Sequence, residues 1–285
     1  MKLIEFTKRF RSEKSCKQSW KEYRIKQGVV CPHCGCTSHY WKQDKECFEC
    51  KECGYRQSLR ANTVMHGSQL PFQYWFIAIH LLSSMMKGIS ALELQHQLGH
   101  KNYNPIWAMS HKLRLAMGKR DEQYKLSGVV ELDEGFFTTE TPDSEKDKPK
   151  KRGRGSQNKS KVLVMAETAD SKAEPKKGQK PKNPESVIQS DHSTSYTNFK
   201  SLVKEHVSRV IPKELVGTLL PWVHIAISNA KRQLLDIHHD ICPEYLQSYL
   251  NEFCYKFNRR YFCDNVFERM LVACVAYKNR FRYNI

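Results

Sequence analysis

Two short cysteine motifs near the N-terminus constrain the fold of this chain more than any other feature. Cys31 and Cys34 lie in the segment C-P-H-C-G, Cys50 and Cys53 lie in the segment C-K-E-C-G, and fifteen residues separate Cys34 from Cys50. A C-x-x-C turn directs two thiolates at one tetrahedral zinc ion, and the glycine after each motif relieves the tight turn. A pair of redox-active C-x-x-C motifs is the alternative. We predict a zinc ribbon over residues 28–60, held by one structural zinc.

The other cysteines indicate a reducing compartment. Cys36 and Cys47 lie within the ribbon but outside both motifs, and we predict that their thiols stay free. Four more occur singly in apolar helical patterns, which is typical of core packing. These are Cys242, Cys254, Cys263 and Cys274.

The charge balance indicates a polyanionic partner. Lys and Arg outnumber Asp and Glu by 47 to 30, for a net charge of +17. Such a surface attracts nucleic acid, and phosphate contacts make that binding salt-dependent. The N-terminus turns charged at once, and no segment approaches the roughly 20 apolar residues of a membrane span. We therefore expect a cytoplasmic bacterial protein associated with the nucleoid, with double-stranded DNA and no membrane as its partner.

Helical patterns flank the ribbon. Residues 1–27 are charged with spaced aromatic residues and predict an N-terminal helical segment. Residues 61–124 predict three further helices. The last two of these are separated at Gly99, and the final helix carries Lys112 and Arg114, which resembles a helix-turn-helix that contacts DNA. Because the intervening turn is long, a plain helical hairpin is the alternative.

Strand-like segments follow, and two of them carry an aspartate. Residues 129–137, 161–168 and 186–191 predict a small sheet, with Asp133 and Asp191 fifty-eight residues apart. Two convergent carboxylates can hold Mg²⁺ or Mn²⁺ while a phosphate completes the coordination shell. For a lone aspartate, a turn or a helix cap is the usual alternative.

A strongly basic insert, residues 140–160, separates the first two strands. From Lys146 to Lys182 there are thirteen Lys or Arg against four Asp or Glu. A solvated, mobile linker is one interpretation. The other is an arm that grips DNA phosphates through residues such as Arg152 and Arg154.

The order of the motifs resembles a known family. After the ribbon come L-P-F-Q-Y-W-F, K-G-I-S-A-L-E-L-Q, V-E-L-D-E, K-R-G-R-G-S, S-D-H-S-T-S-Y, P-W-V-H-I-A-I-S-N-A-K-R and a final F-N-R-R. This series is similar to the ISXO-like DDE transposases of bacterial insertion sequences. The resemblance implies an RNase H-like catalytic domain that cleaves transposon ends and joins them to target DNA with Mg²⁺ or Mn²⁺. It makes Asp133 and Asp191 the first two catalytic acids.

The third acid of the DDE set is where this sequence departs from the family. The relatives carry a Glu seven residues before a Lys or Arg, and counting back from Lys231 reaches His224. Asn229 is the other polar candidate, because some branches of the family have a neutral amide. A hydrogen-bonded structural histidine is the alternative for His224. Lys231 or Arg232 is then expected to contact DNA phosphate, with a solvated helix face as the alternative.

A second departure lies near residues 170–185. That stretch has no apolar residue except Ala173, so neither the next strand nor the crossover helix of an RNase H-like sheet fits there. We predict a multidomain protein whose RNase H-like domain, residues 125–285, lacks one strand and one helix.

The expected function is that of a transposase, acting as a homodimer or higher assembly on DNA. Because two-metal chemistry tolerates little misplacement, we predict that Asp133 and Asp191 still face each other but that cleavage is weak or absent. The alternatives are a decayed, non-catalytic DNA-binding relative and a zinc-ribbon transcription factor.

Overall fold

A computed structural model describes residues 1–126, 128–149, 151–153, 156–167, 187–191, 205–209, 220–238 and 241–277, with the backbone alone at 187–189, 191, 205–209 and 263. The helices and strands in chain order are α1 (Leu3–Arg9), α2 (Glu13–Gln27), β1 (His39–Lys42), β2 (Cys47–Cys50), β3 (Arg56–Ser58), α3 (Phe72–Ser84), α4 (Ala91–Leu98), α5 (Tyr103–Asp121), β4 (Val129–Thr138), β5 (Lys159–Glu167), β6 (Val187–Asp191), β7 (Glu205–Arg209), α6 (Pro221–Ile237), α7 (Pro243–Asn258) and α8 (Val266–Ala276). Short 3₁₀ helices cover Asp143–Glu145 and Arg260–Asn265.

The chain divides into two compact units. The first comprises Met1–Asp121 together with Ser248–Ile285, and the second comprises Glu122–Gln247. The predicted C-terminal domain of residues 125–285 is therefore split, because its last helices pack with the N-terminal unit. α8 contacts α2, α3 and α5, and its buried residues join the same core as those helices.

The ribbon of the first unit is a three-stranded antiparallel sheet in the order β1-β2-β3. His39 pairs with Cys50 at one end of the hairpin. Helix α2 packs against this sheet: the Arg24 guanidinium donates to the carbonyl oxygens of Ser58 and Leu59 and lies over the ring of Phe48. These contacts make α2 and the ribbon one structural piece.

Helix α4 begins and ends where local chemistry predicts. Ser90 caps α4, since its hydroxyl oxygen accepts the Glu93 N–H at 3.1 Å. Gly99 ends the helix in the left-handed conformation, with φ of 61°, which a residue without Cβ adopts at little cost.

Helix α5 is enclosed on nearly all sides, and this changes the interpretation of the region. Its buried residues include apolar side chains and also His111, Lys112 and Arg114. A helix that is buried all round is a central core helix. A recognition helix needs an exposed face that can enter a DNA groove. The structure therefore favours the helical hairpin of α4 and α5 over the helix-turn-helix.

The second unit contains a mixed sheet, which in the described residues has the order β5-β4-β6-β7. β4 pairs antiparallel with β5 on one side and parallel with β6 on the other. β6 in turn pairs parallel with β7. Three of these strands lie where the sequence predicts them. β7 was missed, because Glu205–Arg209 contains one apolar residue among four polar ones. The predicted loss of a strand and a helix near residues 170–185 lies outside the described residues.

Helix α6 covers one face of β4 and β5. Leu220, just before the helix, and the helix residues Val223 and Ile227 form a small core with Val164 and Ala166 of β5. The approach to β4 is close: a Cβ added at Gly135 would lie 3.5 Å from Ile227 and 2.8 Å from the Phe137 ring. Because strand side chains alternate between faces, Glu131 and Asp133 lie on the same α6-facing side as Gly135.

Candidate metal centres and nucleic-acid interface

The four motif cysteines converge at the ribbon. The Sγ atoms of Cys31, Cys34, Cys50 and Cys53 all lie within 4.8 Å of one another. Cys31 and Cys53 are 3.6 Å apart, and Cys34 and Cys50 are 3.5 Å apart. Four sulfur atoms about 2.3 Å from a tetrahedral ion lie about 3.8 Å from each other. The donor set and its spacing therefore fit zinc.

The backbone of each motif is arranged around its first cysteine. The glycines Gly35 and Gly54 have φ of 76° and 69°, and their N–H groups donate to the carbonyl oxygens of Cys31 and Cys50. Hydrogen bonds from the Cys53 and Glu52 N–H groups lower the pKa of Cys50 to about 6. Stabilised thiolates are the form that binds zinc.

The remaining cysteines of the ribbon do not join this cluster. The Cys36 Sγ accepts the N–H of Ser38 at 3.2 Å, and Cys47 is buried in β2 opposite Lys42. Cys274 is fully buried in α8, and burial raises the pKa of its thiol. Cys36 and Cys47 therefore lie outside the four-cysteine cluster, and Cys274 agrees with the predicted core role. Cys242 is only partly buried and Cys254 is exposed, so the prediction of core packing is wrong for Cys254. Cys263 has no described side chain.

Asp133 and Asp191 occupy matching positions on adjacent parallel strands. The last paired residues of β4 and β6 are Leu132 and Ser190, and each aspartate is the next residue along its strand. Neighbouring strands lie about 4.8 Å apart, so in-register residues occupy the same level of the sheet. The backbone therefore places the two predicted acids side by side. Asp133 is partly buried, with 19% of its side chain exposed.

Helix α6 brings His224 to the same place. The His224 Nδ1 lies 3.5 Å from the Asp133 Oδ2, and the side chain of His224 is 30% exposed. The other ring nitrogen, Nε2, is buried and has no hydrogen-bond partner among the described residues. A histidine beside a carboxylate with one uncommitted nitrogen can serve as a metal ligand.

The other predicted residues of α6 divide between two faces. Lys231 lies two helical turns after His224, and its Nζ is 5.8 Å from the centre of the Phe137 ring on β4. Asn229 and Arg232 are exposed to solvent. The structure thus brings His224, and not Asn229, to Asp133.

Glu131 is a further polar residue beside Asp133 that was not predicted from the sequence. Its side chain is 1% exposed, and its Oε2 accepts the N–H of Val223 at 2.8 Å. Burial raises the pKa of Glu131, while hydrogen bonds from the Val223 and Trp222 N–H groups oppose that shift. The alternation of side-chain direction along a strand could have predicted its location, since it lies two positions before Asp133 and therefore on the same face of β4.

Two residues predicted to contact DNA lie in the interior. The Lys112 Nζ donates to the His66 carbonyl oxygen at 3.0 Å, and burial lowers the pKa of Lys112. Arg114 is 1% exposed and pairs with Glu252 at 2.8 Å. A buried cation with a protein partner does not reach a phosphate on bound DNA. The prediction that these two residues contact DNA is therefore wrong, because helical position alone did not reveal which face of α5 is covered.

The described lysine and arginine side chains of the basic insert lie at the surface. Lys151 and Arg152 are exposed. Local hydrogen bonds organise this loop: Gln157 accepts the Lys151 N–H and donates to the Pro149 carbonyl oxygen. Lys146 and Lys148 pair with Asp143 and Glu145 within the same loop. Arg154 lies outside the described residues.

The described residues thus contain a four-cysteine zinc ribbon and a mixed sheet that carries Asp133 and Asp191. A protein of this class combines a structural metal centre with a candidate catalytic centre. Family comparison identifies both parts. The model of the ISXO2-like transposase domain matches residues 125–258, and the model of the transposase zinc-ribbon domain matches residues 11–56. Both are models of the IS1595 family, so the chain carries the zinc-ribbon and transposase domains of IS1595-type transposases. The resemblance found in the sequence is confirmed.

Other comparisons add nothing to this identification. No curated protein and no solved structure gave a match. The matched zinc-ribbon domain begins at residue 11 and so includes α2, in agreement with the packing of α2 on the ribbon. No described helix is both long enough and apolar enough to span a membrane.

Proposed function

We propose that the protein is an insertion-sequence transposase that binds transposon ends and catalyses metal-dependent DNA cleavage and strand transfer. The observation that carries this proposal is the position of Asp133 and Asp191 at the same level of adjacent parallel strands, with His224 beside Asp133. The sheet topology supports an RNase H-like fold, in which the central strand β4 has an antiparallel neighbour on one side and a parallel neighbour on the other.

Asp133 and Asp191 would hold Mg²⁺ or Mn²⁺, with His224 as a neutral third donor. The ion supplies Lewis-acid activation of the attacking oxygen and stabilisation of the leaving oxygen. The protein's own residues orient the site: the imidazole of His224 faces the Asp133 carboxylate at 3.5 Å and restricts its rotation. Lys231, on the same helix face, would contact a DNA phosphate near the reacting bond.

The surface charge supports DNA as the partner. The chain has a net charge of +17, and the described basic insert exposes Lys151 and Arg152. Insertion into DNA at two transposon ends also favours a homodimer or a higher assembly on the DNA. Zinc would stabilise the ribbon without taking part in the chemistry.

The absence of a carboxylate at position 224 favours a second candidate, a non-catalytic relative that still binds transposon ends. Fewer negative ligands weaken magnesium binding, although phosphate and water can fill the shell. A zinc-ribbon transcription factor is the third candidate.

The test is nicking of a duplex that carries the element's ends, with Mg²⁺ or Mn²⁺, by the full chain and by Asp133→Ala. We expect the wild type to nick and Asp133→Ala to be inactive, with its DNA affinity within about twofold of wild type because phosphate contacts dominate binding. Binding of the ends without nicking would favour the non-catalytic relative. Equal affinity for the ends and for unrelated duplex, again without nicking, would favour a role outside transposition.

A further inference from the structure

The buried carboxylate of Glu131 joins strand β4 to the start of helix α6. The side chain is 1% exposed, and its Oε2 lies 2.8 Å from the backbone nitrogen of Val223. The Trp222 N–H is a second donor to the same carboxylate. One side chain of the sheet therefore satisfies two backbone donors in the first turn of the helix.

Helix α6 supplies no cap of its own. Leu220, at the N-cap position, makes no side-chain hydrogen bond, and the first turn contains no acidic residue. Pro221 has no N–H to satisfy. The first N–H groups of a helix lack intrahelical partners, and the partial positive charge at this end favours a carboxylate. Glu131 thus takes the place of a local cap, although it lies about ninety residues earlier in the chain.

The position of this contact relates it to the candidate catalytic centre. Glu131 and Asp133 are two residues apart on the same face of β4. On the helix, Val223 directly precedes His224. The strand therefore holds the helix at residues 222 and 223, one residue before the histidine that lies 3.5 Å from Asp133.

We propose that Glu131 is a positioning residue, which holds the first turn of α6 so that His224 stays against Asp133. Its catalytic consequence rests on the proposed function, whereas its structural consequence does not. Displacements of about 1 Å can cost about a hundredfold in rate, so a helix end fixed at two backbone donors matters for this geometry. The rival role for Glu131 is that of a third acidic metal ligand, which would require its carboxylate to turn away from Val223 and Trp222.

The first experiment measures amide hydrogen exchange at single-residue resolution in the full chain. The variants are Glu131→Ala and Glu131→Gln, and the control is Glu134→Gln. Glu134 is a carboxylate on the same strand that pairs with Lys161 and not with α6. In Glu131→Ala we expect the Trp222 and Val223 amides to exchange about tenfold faster or more, because a lost charge-assisted acceptor exposes them.

Glu131→Gln keeps one carbonyl acceptor, so its exchange at these two amides should lie between those of wild type and Glu131→Ala. Residues 226–234 of α6 and the control variant should exchange at the wild-type rate. Unchanged exchange at both amides in Glu131→Ala would overturn the proposal. An equal acceleration along the whole of α6 in both variants would also overturn it, since that result indicates general unfolding.

The second experiment addresses the histidine. Mn²⁺ affinity and nicking rate are measured for Glu131→Gln, His224→Ala and the double variant. We expect Glu131→Gln to lower the nicking rate in the presence of His224 and to have little further effect in its absence. Additive losses in the double variant, or loss of Mn²⁺ binding in Glu131→Gln with exchange unchanged, would support the ligand role and overturn the positioning role. If the wild type does not nick, the proposed function fails, and the exchange data still decide the role of Glu131.

Discussion

The Nδ1 of His224 lies 3.5 Å from the Oδ2 of Asp133, although ninety residues of sequence separate them. Spacing in the sequence predicted His224 or Asn229 for the third position of the DDE set. The contact joins α6 to the central strand of the sheet. The contact favours His224 over Asn229 as the candidate for the third metal ligand.

We predict that His224→Ala lowers the nicking rate by about tenfold to a hundredfold, the usual cost of removing a group that orients a metal ligand. Asn229→Ala is the matched control, because Asn229 is exposed on the same helix. Its rate should equal that of wild type. Both rates are measured on the same duplex. A larger loss of nicking rate in Asn229→Ala than in His224→Ala would favour Asn229 as the third catalytic residue.

His224→Glu introduces a carboxylate at one of the two positions predicted for the third acid. Because Mg²⁺ prefers negatively charged oxygen ligands, we expect the Mg²⁺ concentration for half-maximal nicking to fall by about tenfold. A metal titration at fixed DNA concentration measures this directly. An unchanged titration curve would show that residue 224 does not coordinate the ion.

Cys50→Ser should remove the zinc from the purified protein, because one of the four thiolate ligands is lost. The ribbon should then unfold, since zinc binding contributes on the order of 10 kcal/mol to the folding of such a segment. Metal analysis of the protein checks this, and Trp41, which packs against Phe48, reports the state of the ribbon by fluorescence. Cys36→Ser is the control, since the Cys36 thiol lies outside the cluster. Retention of a full equivalent of zinc in Cys50→Ser would contradict the assignment.

The buried pair of Arg114 and Glu252 should stabilise the first unit. Both side chains are almost fully buried, and Lys256 also contacts Glu252. We expect Arg114→Met to lower the free energy of unfolding by about 3–5 kcal/mol, because it leaves a buried carboxylate with one cation instead of two. Denaturant unfolding at neutral pH is the measurement. A decrease in the free energy of unfolding below about 1 kcal/mol would show that this pair contributes no more than an exposed ion pair does.

The pair of Arg114 and Glu252 also makes the free energy of unfolding depend on pH in a predictable direction. Burial alone would raise the pKa of Glu252, but Lys256 and Arg114 outweigh it and lower that pKa from 4.5 to about 2. A carboxyl group with a depressed folded-state pKa contributes stability above its unfolded pKa and loses that contribution as the pH falls toward the folded value. The stability of wild type should therefore decline between about pH 5 and pH 2 more steeply than that of Glu252→Gln. Glu5→Gln, at an exposed site of α1, should keep the wild-type slope.

Neutralising the insert should weaken the salt dependence of DNA binding. The double variant Lys151→Gln, Arg152→Gln removes two exposed charges, and each lost phosphate contact should reduce the slope of log affinity against log salt by about 1. The control, Lys8→Gln with Lys14→Gln, removes two exposed charges from α1 and α2. Equal slopes for both double variants would indicate that the insert is a solvated loop.

The parts of the fold that depend on interactions between residues close in sequence could be predicted from the sequence. The C-x-x-C motifs with their glycines determine the ribbon, because ligand geometry and a positive φ are local requirements. The Ser90 cap and the Gly99 end of α4 follow from local hydrogen bonding in the same way. Runs of strand-forming residues predicted β4 and β5, whereas the register between them was not predicted and comes from the structure.

What the sequence alone determined is therefore the four zinc ligands, the boundaries of capped helices and the strands that carry the two aspartates. Only the tertiary structure decided that α5 is buried with Lys112 and Arg114 inside, that α8 joins the N-terminal unit, and that Glu131 caps α6 beside the His224 contact. These features depend on packing between segments far apart in the chain. A helix does not record in its own sequence which partner covers each face, and a buried carboxylate is stable only where a distant backbone supplies its donors.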